Sequence, residues 1–306
     1  MNVRILVCDP IHEDGVNILK EAGYDVELDT KITGEELVDK IGDYDAIIIR
    51  SRTNVDERVL RARSRLKAVA RAGVGLDNVD LETAKKLGIQ VINSPEAPSN
   101  AVAELVLGLM LALARRIPEG DASMKRGEWI KRQLTGFELK GKTLGIIGFG
   151  RIGYELGKKC KALGMTVVAY DVAMDRLIKY VEEIGAESVT MDDLLSGSDF
   201  VSVHIPLLPQ TRNLIGRDQI DLMKKSAYLI NAARGGIIDE MALRDALVKG
   251  ELGGAALDVF ANEPPDDTSL TGLKNIICMP HIGAATVEAQ RANSTIVAEK
   301  LIQIFS

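Results

Sequence analysis

Cysteine is scarce: Cys8, Cys160 and Cys278 are the only three in 306 residues. They lie far apart, form no CxxC pair and are odd in number, which suits a reducing compartment better than a disulfide framework. Excess positive charge is lacking as well. The 38 Lys and Arg against 44 Asp and Glu leave a net charge of -6. Such a surface repels phosphate backbones, so nucleic acid is not an expected partner. Long hydrophobic runs are missing too. The apolar run after Met1, Asn2 and Arg4 stops at Asp9 and Pro10, too short for a secretory leader or a membrane span. Ala101 to Leu113 is also too short, and Glu104 interrupts it. No internal repeat and no low-complexity tract is present. The expectation is a soluble, cytoplasmic protein with no membrane partner.

What is present is an ordinary globular mix, 46% hydrophobic and 27% charged, with enough apolar material for two cores. Short β-branched runs alternate with longer amphipathic ones. Val3–Cys8, Ala46–Ile49, Lys67–Ala70 and Gln90–Ile92 read as buried parallel strands, with helices at Gly15–Ala22, Gly34–Ile41 and Leu81–Leu87. A second strand series follows: Thr143–Ile147, Thr166–Tyr170, Phe200–His204, Tyr228–Asn231, Ala255–Val259 and Asn275–Cys278. The expected fold class is α/β, two Rossmann-like doubly wound parallel-sheet domains. Between the series lies an apolar helix, Ser99–Arg116, with Pro95 and Pro98 before it and Pro118 expected to close it. Its stripe of Leu105, Leu109 and Leu113 suits either a buried core or a subunit interface.

The sharpest local signal is Gly148-Phe149-Gly150-Arg151-Ile152-Gly153, which follows a strand and opens the helix Arg151–Leu163. In this context Gly148 makes the tight turn, Gly150 admits a pyrophosphate to the backbone, and Gly153 allows close helix–strand packing. The helix N-terminus faces the phosphate charge. Asp171 ends the next strand and is placed for the adenosine ribose hydroxyls. A 2′-phosphate would meet its carboxylate, and Val172 and Ala173 offer no cation, so NAD is favoured over NADP.

Three polar groups punctuate the ends of later strands, where ligands of open α/β sheets bind. They are Arg234 in Asn231–Gly236, Glu263 in Asn262-Glu263-Pro264-Pro265, and His281 after Met279-Pro280. Removing hydride from an alcohol carbon needs a base for the hydroxyl proton, a task suited to histidine. A carboxylate can orient that histidine, and an arginine can clamp a substrate carboxylate. Singly, each is ambiguous. His281 could be structural, Arg234 a strand-end ion pair and Glu263 an exposed loop carboxylate. His204, before Pro206, is a rival base, whereas His12 reads as a surface residue.

Together the blocks resemble the D-2-hydroxyacid dehydrogenase family, from about Val3 to Ile304. Arg71-Ala72-Gly73-Val74-Gly75-Leu76-Asp77-Asn78 resembles its substrate loop, and Gly148–Gly153 with Asp171 its cofactor fingerprint. Val203–Leu207, Asn231–Gly236, Ala256–Pro265 and Pro280–Ala284 resemble its later blocks. The resemblance implies that His281 is the proton donor or acceptor, Glu263 its orienting partner and Arg234 the substrate clamp. It moves His204 to the cofactor cleft. Val74, Arg151, Ile152, Asp171, Ile205, Pro206, Ala232, Ala233, Arg234, Asp258, His281, Gly283 and Ala284 are placed around NAD, with no metal expected. Val74 and Ile205 lack a hydroxyl, so only their backbones could hydrogen-bond there.

By the same resemblance, residues 1–94 with 283–306 form a discontinuous substrate domain, and 95–282 form the NAD domain with a helical arm for a homodimer. Gly73, Val74 and Gly75 would hold a substrate carboxylate through backbone N–H groups. Arg50 and Arg71 resemble phosphate-binding positions of members that act on phosphorylated hydroxy acids. Lys131 and Arg132 are weaker candidates, for a reach into a neighbouring subunit. Longer members carry C-terminal regulatory domains, so the chain is expected to be a short form or a trimmed one. Two alternatives stay open: a reductase of small 2-keto acids, and a non-catalytic NAD-sensing protein.

Overall fold

The structure is a computed structural model that describes residues 3–306. Met1 and Asn2, which begin the segment read as too short for a leader, lie outside the described residues. Along the first part of the chain run β1 (Arg4–Val7), α1 (Glu13–Glu21), β2 (Asp25–Leu28), α2 (Gly34–Lys40), β3 (Ala46–Ile49), α3 (Glu57–Arg61), β4 (Ala68–Arg71), α4 (Leu81–Lys86) and β5 (Gln90–Asn93). Then come α5 (Ser99–Arg115), α6 (Ile117–Lys125), β6 (Thr143–Ile147), α7 (Arg151–Ala162), β7 (Thr166–Tyr170), α8 (Met174–Glu183), β8 (Glu187–Ser188), α9 (Met191–Gly197) and β9 (Phe200–Val203). The chain ends with α10 (Arg217–Leu222), β10 (Tyr228–Asn231), α11 (Glu240–Lys249), β11 (Gly254–Leu257), β12 (Ile276–Cys278) and α12 (Val287–Phe305).

Two compact units result. One comprises the described residues up to Ala101 together with Ala284–Ser306; the other is Val102–Gly283. The first crossing therefore falls inside α5, later than the expected switch at residue 94. Val102, Val106, Leu109 and Met110 of that helix pack into the second unit's core.

In the first unit the strand order is β2-β1-β3-β4-β5, with every pair parallel. Ile47 and Ile49 of β3 point into one core with Leu37, Leu60 and Ala84; Ala46 and Ile48 point into another with Leu19, Val297 and Leu301. This period-two division buries both faces and explains the unbroken apolar run of β3. The second unit has the order β12-β11-β10-β9-β6-β7-β8, again all parallel. Its faces are covered by α5, α7 and α8 on one side and by α9, α10 and α11 on the other. Connectivity reverses between β1 and β3 in one sheet and between β6 and β9 in the other. Ligands of such sheets bind beyond the strands' carboxyl ends at these switch points.

The Leu105–Leu109–Leu113 stripe packs against the second unit's core, with Leu109 buried and Leu105 and Leu113 partly so. Pro118 does not close the helix as expected. Arg116 adopts a left-handed conformation (φ 52°) that turns the chain, and Pro118 sits in the first turn of α6, where its missing N–H costs no hydrogen bond. Cys8, Cys160 and Cys278 are free thiols. Among the described residues, no helix is long and apolar enough to cross a membrane.

Candidate active site

At the second sheet's switch point, β6 runs into the glycine loop. Gly148 has φ +92°, and a Cβ there would lie 2.6 Å from Ile205 Cγ2 and 2.8 Å from the His204 carbonyl. The turn therefore tolerates glycine alone, because the β9 loop presses against it. Space beside Gly150 is open, and α7 begins at Arg151 without a side-chain cap. That leaves first-turn N–H groups and the positive end of the helix dipole to an anion. At Gly153 a Cβ would meet Gly148 O at 2.7 Å, so helix and strand pack directly. The loop thus fits a dinucleotide pyrophosphate.

Asp171 ends β7. Its Oδ2 accepts from Phe149 N (2.9 Å) and its Oδ1 from Ala173 N (2.8 Å). The carboxylate fixes the glycine loop, and each oxygen retains acceptor capacity for a ribose hydroxyl. Val172 beside it is exposed. His204, Ile205 and Pro206 follow β9. The His204 ring touches Ser202 Oγ through Nε2 (2.9 Å), while Nδ1 is buried without a hydrogen-bond partner. Burial lowers its pKa from 6.5 to about 4, so the ring is neutral near pH 7. His12, read as a surface residue, caps α1 by accepting from Asp14 N.

Arg234, Glu263 and His281 all belong to the second unit and follow β10, β11 and β12 respectively. Glu263 Oε2 lies 2.6 Å from His281 Nδ1, and Glu263 Oε1 accepts from Phe260 N at 3.1 Å. Half of the imidazole remains exposed. With Nδ1 engaged by the carboxylate, Nε2 is the nitrogen left to exchange a proton with a substrate. The turn that bears Arg234 is shaped by buried Asn231, whose amide donates to Arg234 O (2.8 Å) and accepts from Ala233 N (3.0 Å). At Gly235 a Cβ would come within 1.8 Å of Phe260 O. Only glycine lets the Arg234 turn lie flat on the loop that leads to Glu263.

His281 has φ +53°, a left-handed conformation that costs about 1–2 kcal/mol outside glycine. Asp258 holds it there. Its backbone carbonyl accepts His281 N (2.9 Å), and its carboxylate accepts Ile282 N (2.8 Å) and Gly283 N (2.7 Å). Burial raises the Asp258 pKa, against the pull of those two N–H groups. Glu240, at the start of α11, accepts Ala261 N at 2.6 Å and braces the same loop; burial raises its pKa.

The first unit carries the remaining candidates. The carbonyls of Gly73 and Val74 are held by Ser94 N (3.0 Å) and Asn93 Nδ2 (2.6 Å). In trans peptides the N–H points away from its carbonyl, so the N–H groups of Val74 and Gly75 face the opposite side. Arg71 folds beneath this loop: a Cβ on Gly73 would lie 1.5 Å from Arg71 Nη1. Arg50 follows β3, and its Nη1 lies 3.3 Å from Pro10 O. Lys131 and Arg132 are exposed on a short helical turn of the second unit. Asn231, Gly235 and Glu240 were not foreseen as parts of the site. The only sequence signal was the Gly235-Gly236 pair, which reads equally as an ordinary turn.

Two outcomes follow. Asp171→Ala is expected to lower the NAD-to-NADP ratio of kcat/KM by about tenfold or more, since charge-assisted hydrogen bonds to the ribose are lost; an unmoved ratio contradicts the assignment. For His204, the folded chain refuses between pH 6.5 and about 4 a proton that the unfolded chain accepts. Its contribution therefore makes stability fall as pH drops through that window, by about 1–2 kcal/mol at pH 5. Urea midpoints at pH 7 and pH 5 should converge in His204→Gln relative to the parent chain.

Residues 107–283 match the D-isomer specific 2-hydroxyacid dehydrogenase, NAD binding domain family. D-3-phosphoglycerate dehydrogenase of Methanocaldococcus jannaschii is 50% identical over 303 residues, covering 99% of this chain and 57% of that protein. Hydroxypyruvate reductase of Thermotoga maritima is 43% identical over 98% of this chain and 97% of its own length. The chain spans about half the length of the phosphoglycerate dehydrogenases it matches. Among solved structures, the TT0316 protein of Thermus thermophilus aligns with a TM-score of 0.88 at 34% identity, covering 99% of this chain and 97% of that one. A glycine loop that fits NAD and full-length likeness in sequence and fold point the same way: the chain belongs to the D-isomer specific 2-hydroxyacid dehydrogenase family.

Proposed function

We propose that the chain oxidises D-3-phosphoglycerate to 3-phosphohydroxypyruvate with NAD, the first step of a phosphorylated route to serine. The observation that carries the substrate reading is Arg50, just after β3, and Arg71, the last residue of the neighbouring strand β4, both at the carboxyl edge of the first sheet. An unphosphorylated hydroxy acid needs cations for one carboxylate; a phosphorylated one needs more. Relatives named D-3-phosphoglycerate dehydrogenase, 50% and 43% identical, support the same reading.

NAD, held by the Gly148–Gly153 loop and Asp171, supplies the hydride acceptor when bound. His281 takes the hydroxyl proton through Nε2 as general base. Glu263 fixes the ring, and Arg234 binds the substrate carboxylate. In reduction the proton returns along the same path. Ile205, Pro206, Ala232, Ala233, Gly283 and Ala284 are assigned to cofactor contact. Leu111, Ile117, Met124 and Trp129, exposed along α5, α6 and the segment after them, support a homodimer formed by this arm. A cytoplasmic location completes the reading.

One observation favours a second reading. Hydroxypyruvate reductase of Thermotoga maritima matches this chain over nearly the whole of both lengths. A substrate panel read by NADH absorbance separates the two, with 3-phosphoglycerate beside glycerate, glyoxylate and hydroxypyruvate. Preference for the phosphorylated acid is expected. Arg71→Ala should then raise KM for 3-phosphoglycerate by more than about tenfold, the cost of a charge-assisted contact to a dianion. Equal losses on 3-phosphoglycerate and glycerate would instead assign Arg71 to the carboxylate or to the scaffold.

A further inference from the structure

Asp9, Arg52 and Asn78 have no part in the chemistry above, yet they surround the backbone of Arg50. All lie at the carboxyl edge of the first sheet, Asp9 and Arg52 after β1 and β3, where connectivity reverses, and Asn78 after β4. Asp9 follows β1 and is only 1% exposed. A carboxylate so far from water persists only when hydrogen-bonded and paired. Its Oδ2 accepts Arg50 N at 2.5 Å and Thr53 N at 3.3 Å. Its Oδ1 accepts Thr53 Oγ1 at 2.9 Å and pairs with Arg52 Nε at 3.0 Å. Arg52 commits the rest of its fork to main-chain carbonyls, Nη1 to Ile32 O (3.0 Å) and Nη2 to Cys8 O (2.5 Å). Its guanidinium is therefore a strap across the strand ends.

Asn78, on the loop that carries Gly73 and follows Arg71 at the end of β4, grips the same segment by its carbonyls. Its Nδ2 donates to Arg50 O at 2.7 Å and to Thr53 O at 2.5 Å. Main-chain bonds extend the seam: Val55 N donates to Asn78 O (2.8 Å) and Asp80 N to Val55 O (2.9 Å). Residues 50 and 53 thus have their N–H groups held by one side chain and their C=O groups by another. Surface loops usually leave such groups to water and move accordingly. Here the Arg50 loop is fastened to the loop that follows Arg71, so less freedom is lost when the two guanidiniums engage a ligand.

We propose that Asp9 and Asn78 are positioning residues for selection of a phosphorylated substrate, a two-sided clamp that fixes the loop of Arg50 to the loop that follows Arg71. The proposal rests on the reading of those two arginines as phosphate ligands. The test is a double-mutant cycle in the full chain, with 3-phosphoglycerate and glycerate as alternative substrates. Asn78→Ala should raise KM for 3-phosphoglycerate by about tenfold with kcat changed less than about threefold. In an Arg50→Ala background the same substitution should raise KM by less than about twofold, because the side chain it positions is gone. Asp9→Asn, which keeps shape but turns an acceptor toward the N–H groups into a donor, should repeat the pattern. Equal effects of Asn78→Ala in both backgrounds, or equal losses on glycerate, would overturn the clamp. An Arg50→Ala variant with an unchanged selectivity ratio between the two acids would overturn the phosphate reading itself, whatever Asn78 does.

Discussion

The hydrogen bond from His281 Nδ1 to Glu263 Oε2, at 2.6 Å, is the interaction around which the carboxyl edge of the second sheet is arranged. It joins loops that leave neighbouring strands β11 and β12, and each end is held by main chain. Phe260 N fixes the carboxylate, Asp258 holds the histidine in its left-handed conformation, and Glu240 braces the loop between. Gly235 lets the Arg234 turn approach that loop closely. The His281 side chain is thus set by loops that leave parallel strands in fixed register.

The two sheets use their switch points alike. Where strand connectivity reverses, the loops diverge and leave polar main chain at the carboxyl edge. In the second unit that space meets Gly148, Gly150 and the start of α7; in the first it meets Asp9 and Arg50. In each case a carboxylate that ends a strand region orders the adjoining loop. Asp171 holds Phe149 N, and Asp9 holds Arg50 N and Thr53 N.

Much of this was legible in the sequence because parallel strands buried on both faces read as apolar runs. β3, all four residues buried, and β9 stand out for that reason. β2 and β8 do not stand out. They are sheet edges, β8 being two exposed residues, and carry no apolar run. Pro118 reads as a stop because proline opens helices as readily as it ends them, and nothing local reveals the left-handed Arg116 before it. Arg234, Glu263 and His281 stand out as candidates by their places just past strand ends. Asp9, Asn78, Asn231 and Glu240 were not, because each acts on main chain distant in sequence or within a turn, and no residue pattern announces such a partner.

The proposed role of Glu263 is to hold the His281 ring with Nε2 left for the substrate proton. The direct measurement is kcat for keto-acid reduction in the parent chain and in Glu263→Ala, with NADH affinity measured alongside. kcat should fall by about tenfold or more in Glu263→Ala with NADH affinity preserved. An unchanged kcat would contradict that role and take Glu263 out of the proton transfer.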